Sequence, residues 1–335
     1  MMSICFFDAN PNENSGSYRI WVKDLCLSLN EAGVKSRITH SFDELEKAPE
    51  DIIIFSKSSY KSIPKFKKNK EKIIGAINVS ADDFIPSIDF VIVGSHEERI
   101  SLSSYDNVFL YPLIERKFMR LPRKVHKNKE IFKICFHGHH PHLFKFYPHL
   151  RDSIEEIDKL RKVKLNIVTG THDVDSWWKK ESGRPDVDIE FHEYDKISKV
   201  VHDSDVGVVP NVIDLKGIYP GLVNQTSSEL GMYSTDYIYR IKNKTNPGRA
   251  FVFYQHGIPV IHDMSPSSFE MMAFTGIYDL AHDKKSWVNC FKKYLDQNYR
   301  QEVSDRFRTK FEKKYNPVTW AEKLYIQIRE IQNDY

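Results

Sequence analysis

The chain has 335 residues, about two domains' worth on the usual size prior, and 41% of them are apolar, enough for a substantial core in each. With 28% charged and 13% aromatic residues, and only 14 Gly and 15 Pro, the composition excludes disordered, collagen-like and coiled-coil chains. The net charge of +3, from 49 basic against 46 acidic residues, is too balanced for a dedicated nucleic-acid binder, and no nucleic-acid partner is expected.

The opening MMSICFFDANPNENS turns polar after one short apolar run. Neither a signal peptide nor a membrane span is expected there, and the expected setting is the cytoplasm. Short β-rich runs then alternate with helical stretches: SICFF, a helix from about Tyr18 to Leu29, DIIIF, IIGAINV and DFVIVGS. That rhythm predicts a parallel sheet. Gly33, just after the first helix, fits a left-handed cap. Residues 116–130 bring prolines and dense charge without a period, as an interdomain connector does. A second series follows: FKICFHG, a helix from about Leu143 to Leu160, KLNIVTG, VDIEFHE, a helix near Ile197 to His202, DVGVVPN, a helix over 247–256, and IPVIHD.

The expected fold class is therefore α/β, with two Rossmann-like, doubly wound parallel-sheet domains facing one cleft. The boundaries predicted are 1–115 for the first domain, 116–130 for the linker and 131–315 for the second. A helix over 316–335, ending WAEKLYIQIREIQ with apolar residues at helical spacing, is free to pack on either domain or to cross back to the first. Residues 211–245 hold Tyr219, Tyr233, Tyr237 and Tyr239 without a clear period, and loops of that length are usually functional or mobile. Cys5, Cys26, Cys135 and Cys290 lie far apart without CxxC spacing, so buried free thiols are expected. Two basic clusters stand out, one from Lys57 to Lys72 that includes Lys61, Lys65, Lys67, Lys68 and Lys70, and one from Arg116 to Lys129. Each reads as a solvated face or as a surface that meets anionic membrane.

The most informative local passage is NKTNPGRAFVFYQHGIPVIHD. Asn246 fits an N-cap, Pro247 the first helical position and Gly257 the end of a short helix. The free amides of such a helix start, flanked by Lys244 and Arg249, suit a diphosphate. A second candidate is the loop before the first helix, where Gly16 and Ser17 offer small residues and free amides to a phosphate or sugar. It lacks the spacing of a dinucleotide fingerprint or a P-loop. The third is CFHGHHPHLF, whose His137, His139, His140 and His142 follow a strand. Consecutive imidazoles on one loop without a nearby Cys, Asp or Glu rarely converge on an ion, so no metal is expected, and one histidine with Gly138 is read as touching a polar ligand. Among carboxylates after strands, which include Asp8, Glu97 and Glu98, Asp82 or Asp83 is preferred as a general base.

Five passages resemble a nucleotide-sugar-dependent glycosyltransferase of the GT-B type: SGSYRIWVKDLCLSLNEAGVKSRI, DFVIVGSHEERISLSSYDNVFLYPLIE, DSDVGVVPN, TNPGRAFVFYQHGIPVI and YNPVTWAEKLYIQI. The resemblance implies a sugar transfer to a glycan, lipid-linked or polymer acceptor, with 1–115 as the acceptor domain and 131–315 as the donor-binding domain. The donor is a nucleotide-sugar co-substrate with no other cofactor, the reaction is metal-independent, and the setting is cytoplasmic with a peripheral contact to anionic membrane. It places Gly16 under the donor phosphates, His137 and Gly138 along the cleft, and Tyr194, with His192 and Glu193, at the nucleobase. It gives Lys244 and Arg249, beside Asn246, the leaving diphosphate. The large retaining families carry two glutamates that would fall at Lys244 and Val252, and both are missing here. A catalytically silent nucleotide- or glycan-binding subunit and a nucleotide-sugar epimerase are the alternatives.

Overall fold

In a computed structural model, the structure describes residues 2–66, 72–80, 82–146, 148–170, 174–179, 183–211 and 247–333. It comprises two compact units, the first formed by Met1–Met119 with Glu312–Tyr335 and the second by Arg120–Phe311.

Runs such as ICFF, IIIF and FVIV are apolar at every position, so they must be covered on both faces, and a parallel sheet flanked by helices does this. In the first unit these runs are β1 (Ile4–Phe7), β3 (Ile52–Phe55) and β5 (Phe90–Val93), joined by β2 (Ser36–Thr39), β4 (Ile73–Ile77) and β6 (Val108–Leu110). The strand order is β2-β1-β3-β4-β5-β6, all parallel. The chain leaves β1 for β2 on one side and continues through β3 on the other, which makes the β1/β3 seam the topological switch point. The register pairs Phe7 with Phe55, so Asp8 and Ser56 leave the sheet side by side. A helix over Pro317–Asn333 completes this unit, burying Ala321, Leu324, Tyr325 and Ile328. It packs on the helix Leu25–Glu31 and on β6, and the Tyr325 hydroxyl donates to the Met2 carbonyl at 3.2 Å.

The second unit repeats the scheme with β7 (Phe132–His137), β8 (Val163–Val168), β9 (Asp188–His192), β10 (Val206–Val209), β11 (Val260–Asp263) and β12 (Leu280–Ala281). Their order is β12-β11-β10-β7-β8-β9, again parallel throughout, with the switch point between β7 and β10. Gly33 and Gly257 take φ of +83° and +69° where their helices end, as a left-handed cap requires. The stretch expected as one helix from Leu143 to Leu160 is instead a 3₁₀ segment, His140–Phe146, and a helix, His149–Asp158. Pro148, which lacks an amide hydrogen, divides them. All four cysteines are free and buried, and burial pushes the thiols of Cys5 and Cys135 up to about 11 and about 12.

The stretch 116–130 is divided between the units and packed rather than loose. Lys124 and His126 are buried, the former donating to the carbonyls of His202 and Ser204, the latter to that of Gly257 at 3.0 Å. Arg116 pairs with Glu31, Arg123 with Asp305 and Lys129 with Asp203. Much of this cluster is thus spent on acids far away in sequence, which a local count of charge cannot reveal.

Candidate functional site

The helix Gly248–Gln255 buries six consecutive residues, Ala250 to Gln255, so it lies deep against the second sheet. It can do so because β10 carries Gly207, where a Cβ would fall 2.6 Å from the Phe253 ring. The helix opens one residue later than the sequence predicts. Pro247, at φ −80° and ψ 10°, occupies the cap position assigned to Asn246, because its backbone has not yet entered helical geometry. Lys244 and Asn246 lie outside the described residues, as does the tyrosine-containing stretch 212–246.

This packing delivers Arg249 to the switch point. Its Nη2 donates to the Asn211 side-chain oxygen at 2.8 Å and to the Pro210 carbonyl at 3.2 Å, both just past β10. Its guanidinium carbon stands 5.4 Å from the centre of the Phe136 ring on β7. Of its other two nitrogens, Nη1 is sealed from solvent without a hydrogen-bond partner, and so is Nδ2 of Asn211. Burial lowers the Arg249 guanidinium to about 10, with the nearby Asp263 carboxylate pulling the other way, so it stays a cation at neutral pH. Asp263, at the end of β11, accepts from the Asn211 amide and from Trp287 Nε1 at 3.1 Å, which fixes the Asn211 backbone.

The end of β7 supports the same group. His137 Nε2 donates to the Arg249 carbonyl at 2.8 Å. Gly138 adopts φ +143°, and a Cβ there would lie 3.0 Å from Arg249 Cδ, so the backbone approaches the arginine closely. His139 and His140 face each other with ring centres 4.6 Å apart, and His140 meets Trp177 edge-on at 5.3 Å. Among the described residues no three His, Cys, Asp or Glu side chains gather as a metal would need. Tyr194 opens the 3₁₀ turn Tyr194–Lys196 after β9. β9 is two strands from β7 in the sheet, roughly 10 Å at the usual strand spacing. Thr169, just past β8, has a buried hydroxyl oxygen without a partner. Asn211 and Thr169 were not singled out from the sequence, because a polar residue after a strand is too common to mark a site.

The first unit holds its own cavity, of about 210 Å³, at the β1/β3 switch point, lined by Asp8 and the Asn- and Ser-rich loop that follows it, with Tyr18, Ser56, Lys57 and Ser58. Ser17 lines it, 2.7 Å from the Ser15 hydroxyl. Gly16 begins the short helix Gly16–Tyr18 beside it, with only Arg19 near the position of a Cβ. Neither Asp82 nor Asp83, the carboxylates preferred from sequence, lines the cavity. Asp83 accepts from the Tyr60 hydroxyl at 2.7 Å and pairs with Lys61 at 3.0 Å, which ties it to the fold, and Asp82 is exposed beside Ser80. The carboxylate that does reach the cavity, Asp8, is only 2% exposed.

No protein-family model and no curated protein sequence matches this chain. Solved structures do. An alpha-glucosyltransferase (AGT) in complex with UDP aligns over 98% of this chain and 100% of its own at 10% identity, with a TM-score of 0.61. HepE of Anabaena in complex with UDP-glucose aligns over 100% of both chains at 10% identity and a TM-score of 0.58. TarM of S. aureus, in a complex that includes UDP, matches 83% of this chain at 15% identity and a TM-score of 0.53. This chain spans about half of TarM, 55% of its length.

Proposed function

From the GT-B glycosyltransferase fold that the chain shares with these structures, we propose that it transfers a sugar from a nucleotide-sugar donor to a glycan, lipid-linked or polymer acceptor. The observation that carries this reading is Arg249, a half-buried arginine whose Nη1 is sealed without a partner at the switch point of the second sheet. Open α/β sheets bind ligands beyond the strand ends at such points. A diphosphate supplies the acceptor oxygens that Nη1 and Asn211 Nδ2 lack, and a guanidinium matches its planar geometry.

In this reading, negative charge grows on the leaving phosphate oxygens as the bond to the sugar breaks. Arg249 and the first amides of the helix Gly248–Gln255 are already placed to stabilise that charge more than the ground state. No metal ion is then needed for the leaving group. His137 and Gly138 hold the arginine in position, Lys244 and Asn246 precede this helix in the sequence, and the nucleobase is assigned to the side of Tyr194. UDP is the first nucleotide to try, because it or its glucose conjugate occupies the structural neighbours.

A second reading, nucleotide binding without transfer, draws on Val252. The resemblance would place a donor-gripping glutamate there, and the residue present is apolar and 2% exposed. One experiment separates the two. Heat protection of the chain by a panel of nucleoside diphosphates identifies the ligand, and its sugar conjugate is then followed for transfer or hydrolysis. Arg249→Ala is expected to weaken nucleotide binding by roughly ten- to a hundredfold, the usual loss for a charge-assisted contact. Unchanged affinity in Arg249→Ala would remove the assignment of this site, and binding without product would support the silent subunit.

A further inference from the structure

β6 ends the first sheet, and no strand lies beyond it among the described residues. The Asn107 carbonyl and the Tyr111 amide both bond to β5, and the backbone groups of alternate residues point to the same side of a strand. Those of Val108 and Leu110 therefore point away from the sheet. Both residues line a groove of about 300 Å³ at this edge, with Arg99, Trp320, Lys323, Ile326 and Gln327. Arg99 comes from the helix His96–Ser101, which connects β5 to β6, and the last four from the helix Pro317–Asn333. The connections β1 to β2 and β5 to β6 run toward opposite edges, so right-handed crossovers put the helices Leu25–Glu31 and His96–Ser101 on opposite faces of the sheet. Pro317–Asn333 packs on Leu25–Glu31, and the two walls of the groove thus belong to opposite faces. The groove is apolar between two cations. Ile326 is 54% exposed in it, and Ile100, next to Arg99, is 69% exposed. Lys323 Nζ stands 5.0 Å from the centre of the Trp320 ring, and neither Lys323 nor Arg99 pairs with an acid among the described residues.

We infer that this edge docks an extended acidic segment of a partner protein, which adds a strand beside β6 and sets carboxylates against Arg99 and Lys323. Main-chain bonds to Val108 and Leu110 supply the register, and the side chains of the added strand, alternating between faces, reach both walls. Other occupants fit less well. A lipid surface offers only hydrocarbon to backbone groups that need hydrogen-bond partners, and open sheet edges are not left in hydrocarbon. A second copy of this chain brings cations against cations, because no carboxylate lines the groove, and edge lysines are a common defence against self-pairing. An acidic strand satisfies the backbone and the charges together. The surface uses none of the residues gathered around Arg249, so it stands or falls apart from the transferase reading.

The test is an NMR titration of the full chain, isotope-labelled at its valine and leucine amides, with acetylated and amidated hexapeptides that combine two adjacent glutamates with Val, Ile or Leu. Lysine counterparts, backbone N-methylated versions and phosphatidylglycerol vesicles are the comparison probes. At least one glutamate peptide is expected to bind and to shift the Val108 and Leu110 amides. Its lysine counterpart and its N-methylated version should bind at least about tenfold more weakly. Arg99 and Lys323 are exposed on helix surfaces, so the fold is expected to tolerate Arg99→Glu and Lys323→Glu, and together these should turn the preference toward the lysine peptides. Arg99→Gln and Lys323→Gln, which remove charge without reversing it, are the milder pair, and thermal melts accompany all four. The assignment is overturned if no glutamate peptide binds, if binding leaves Val108 and Leu110 unmoved, or if folded charge variants bind like the unmodified chain. Shifts produced by the vesicles and not by the peptides would give the edge to a membrane, and shifts that follow protein concentration alone would give it to a second copy; either outcome overturns the acidic strand.

Discussion

Burying the Arg249 guanidinium strips hydration that two hydrogen bonds to Pro210 and Asn211 and the Phe136 ring replace only in part, and the lowering to about 10 records the difference. A bound diphosphate favours the charged form and so raises this value. Nucleotide binding therefore takes up protons near and above pH 10, and the affinity is expected to fall as pH rises through that range; titration calorimetry between pH 8 and 10.5 checks it. Gly138 offers a second handle. Gly138→Ala places a Cβ 3.0 Å from Arg249 Cδ at a φ of +143°, so both strain, typically about 1–3 kcal/mol, and a displaced arginine are expected. A lower melting temperature together with weaker nucleotide binding would show it. The sequence marked Arg249 and Gly138 as candidates and named Asp8 among the carboxylates after strands, but Asn211 and Thr169 became apparent only from burial and missing partners.

At the scale of elements, the site depends on how closely the helix Gly248–Gln255 approaches β10. Gly207→Ala would set a Cβ 2.6 Å from the Phe253 ring, and the helix must then withdraw and carry Arg249 with it. Overpacking of this kind costs about 1–3 kcal/mol, so denaturant unfolding and nucleotide affinity should both weaken. The buried central strands were readable as unbroken apolar runs. Of the edge strands, β9 was legible as VDIEFHE, but β2, β6 and β12 were not. They are short, with half-buried positions in SRIT, VFL and LA, and an edge strand needs apolar residues on fewer of its faces. The helix over 247–256 was legible to within a residue at its ends because Pro247 and Gly257 punctuate it. The division at Pro148 was missed because the helical period of apolar residues continues across it.

Two consequences belong to the whole molecule. The helix Pro317–Asn333 packs on residues of the first unit although it ends the chain. Ending the chain at Asn316 is therefore expected to destabilise the first unit, with the melting of the second less affected; calorimetry that resolves two transitions tests this. The second unit carries His126 and His262, both buried and both held down to about 3 by desolvation. Their folded values lie below the unfolded value of about 6.5, so the unfolded chain binds protons first as pH falls. Stability is full above about pH 6.5 and is lost progressively toward pH 3, at up to about 1.4 kcal/mol per pH unit for each group. Denaturant unfolding at pH 7, 6, 5 and 4 should show this slope, and His126→Gln should reduce it.

The amino-acid order by itself determined that this chain forms two parallel α/β sheets with buried free thiols and a short helix punctuated by Pro247 and Gly257. Those features are written in local periods of two and 3.6 residues and in the placement of Pro and Gly, so each is present within a dozen residues. The tertiary structure alone decided which polar groups meet. His137 reaches Arg249 across 112 positions, Ser58 reaches Asp8 across 50, and Asp83 is drawn away to Tyr60 and Lys61. A switch point joins the ends of strands that are distant in sequence, and no local pattern records which of their side chains is left without a partner.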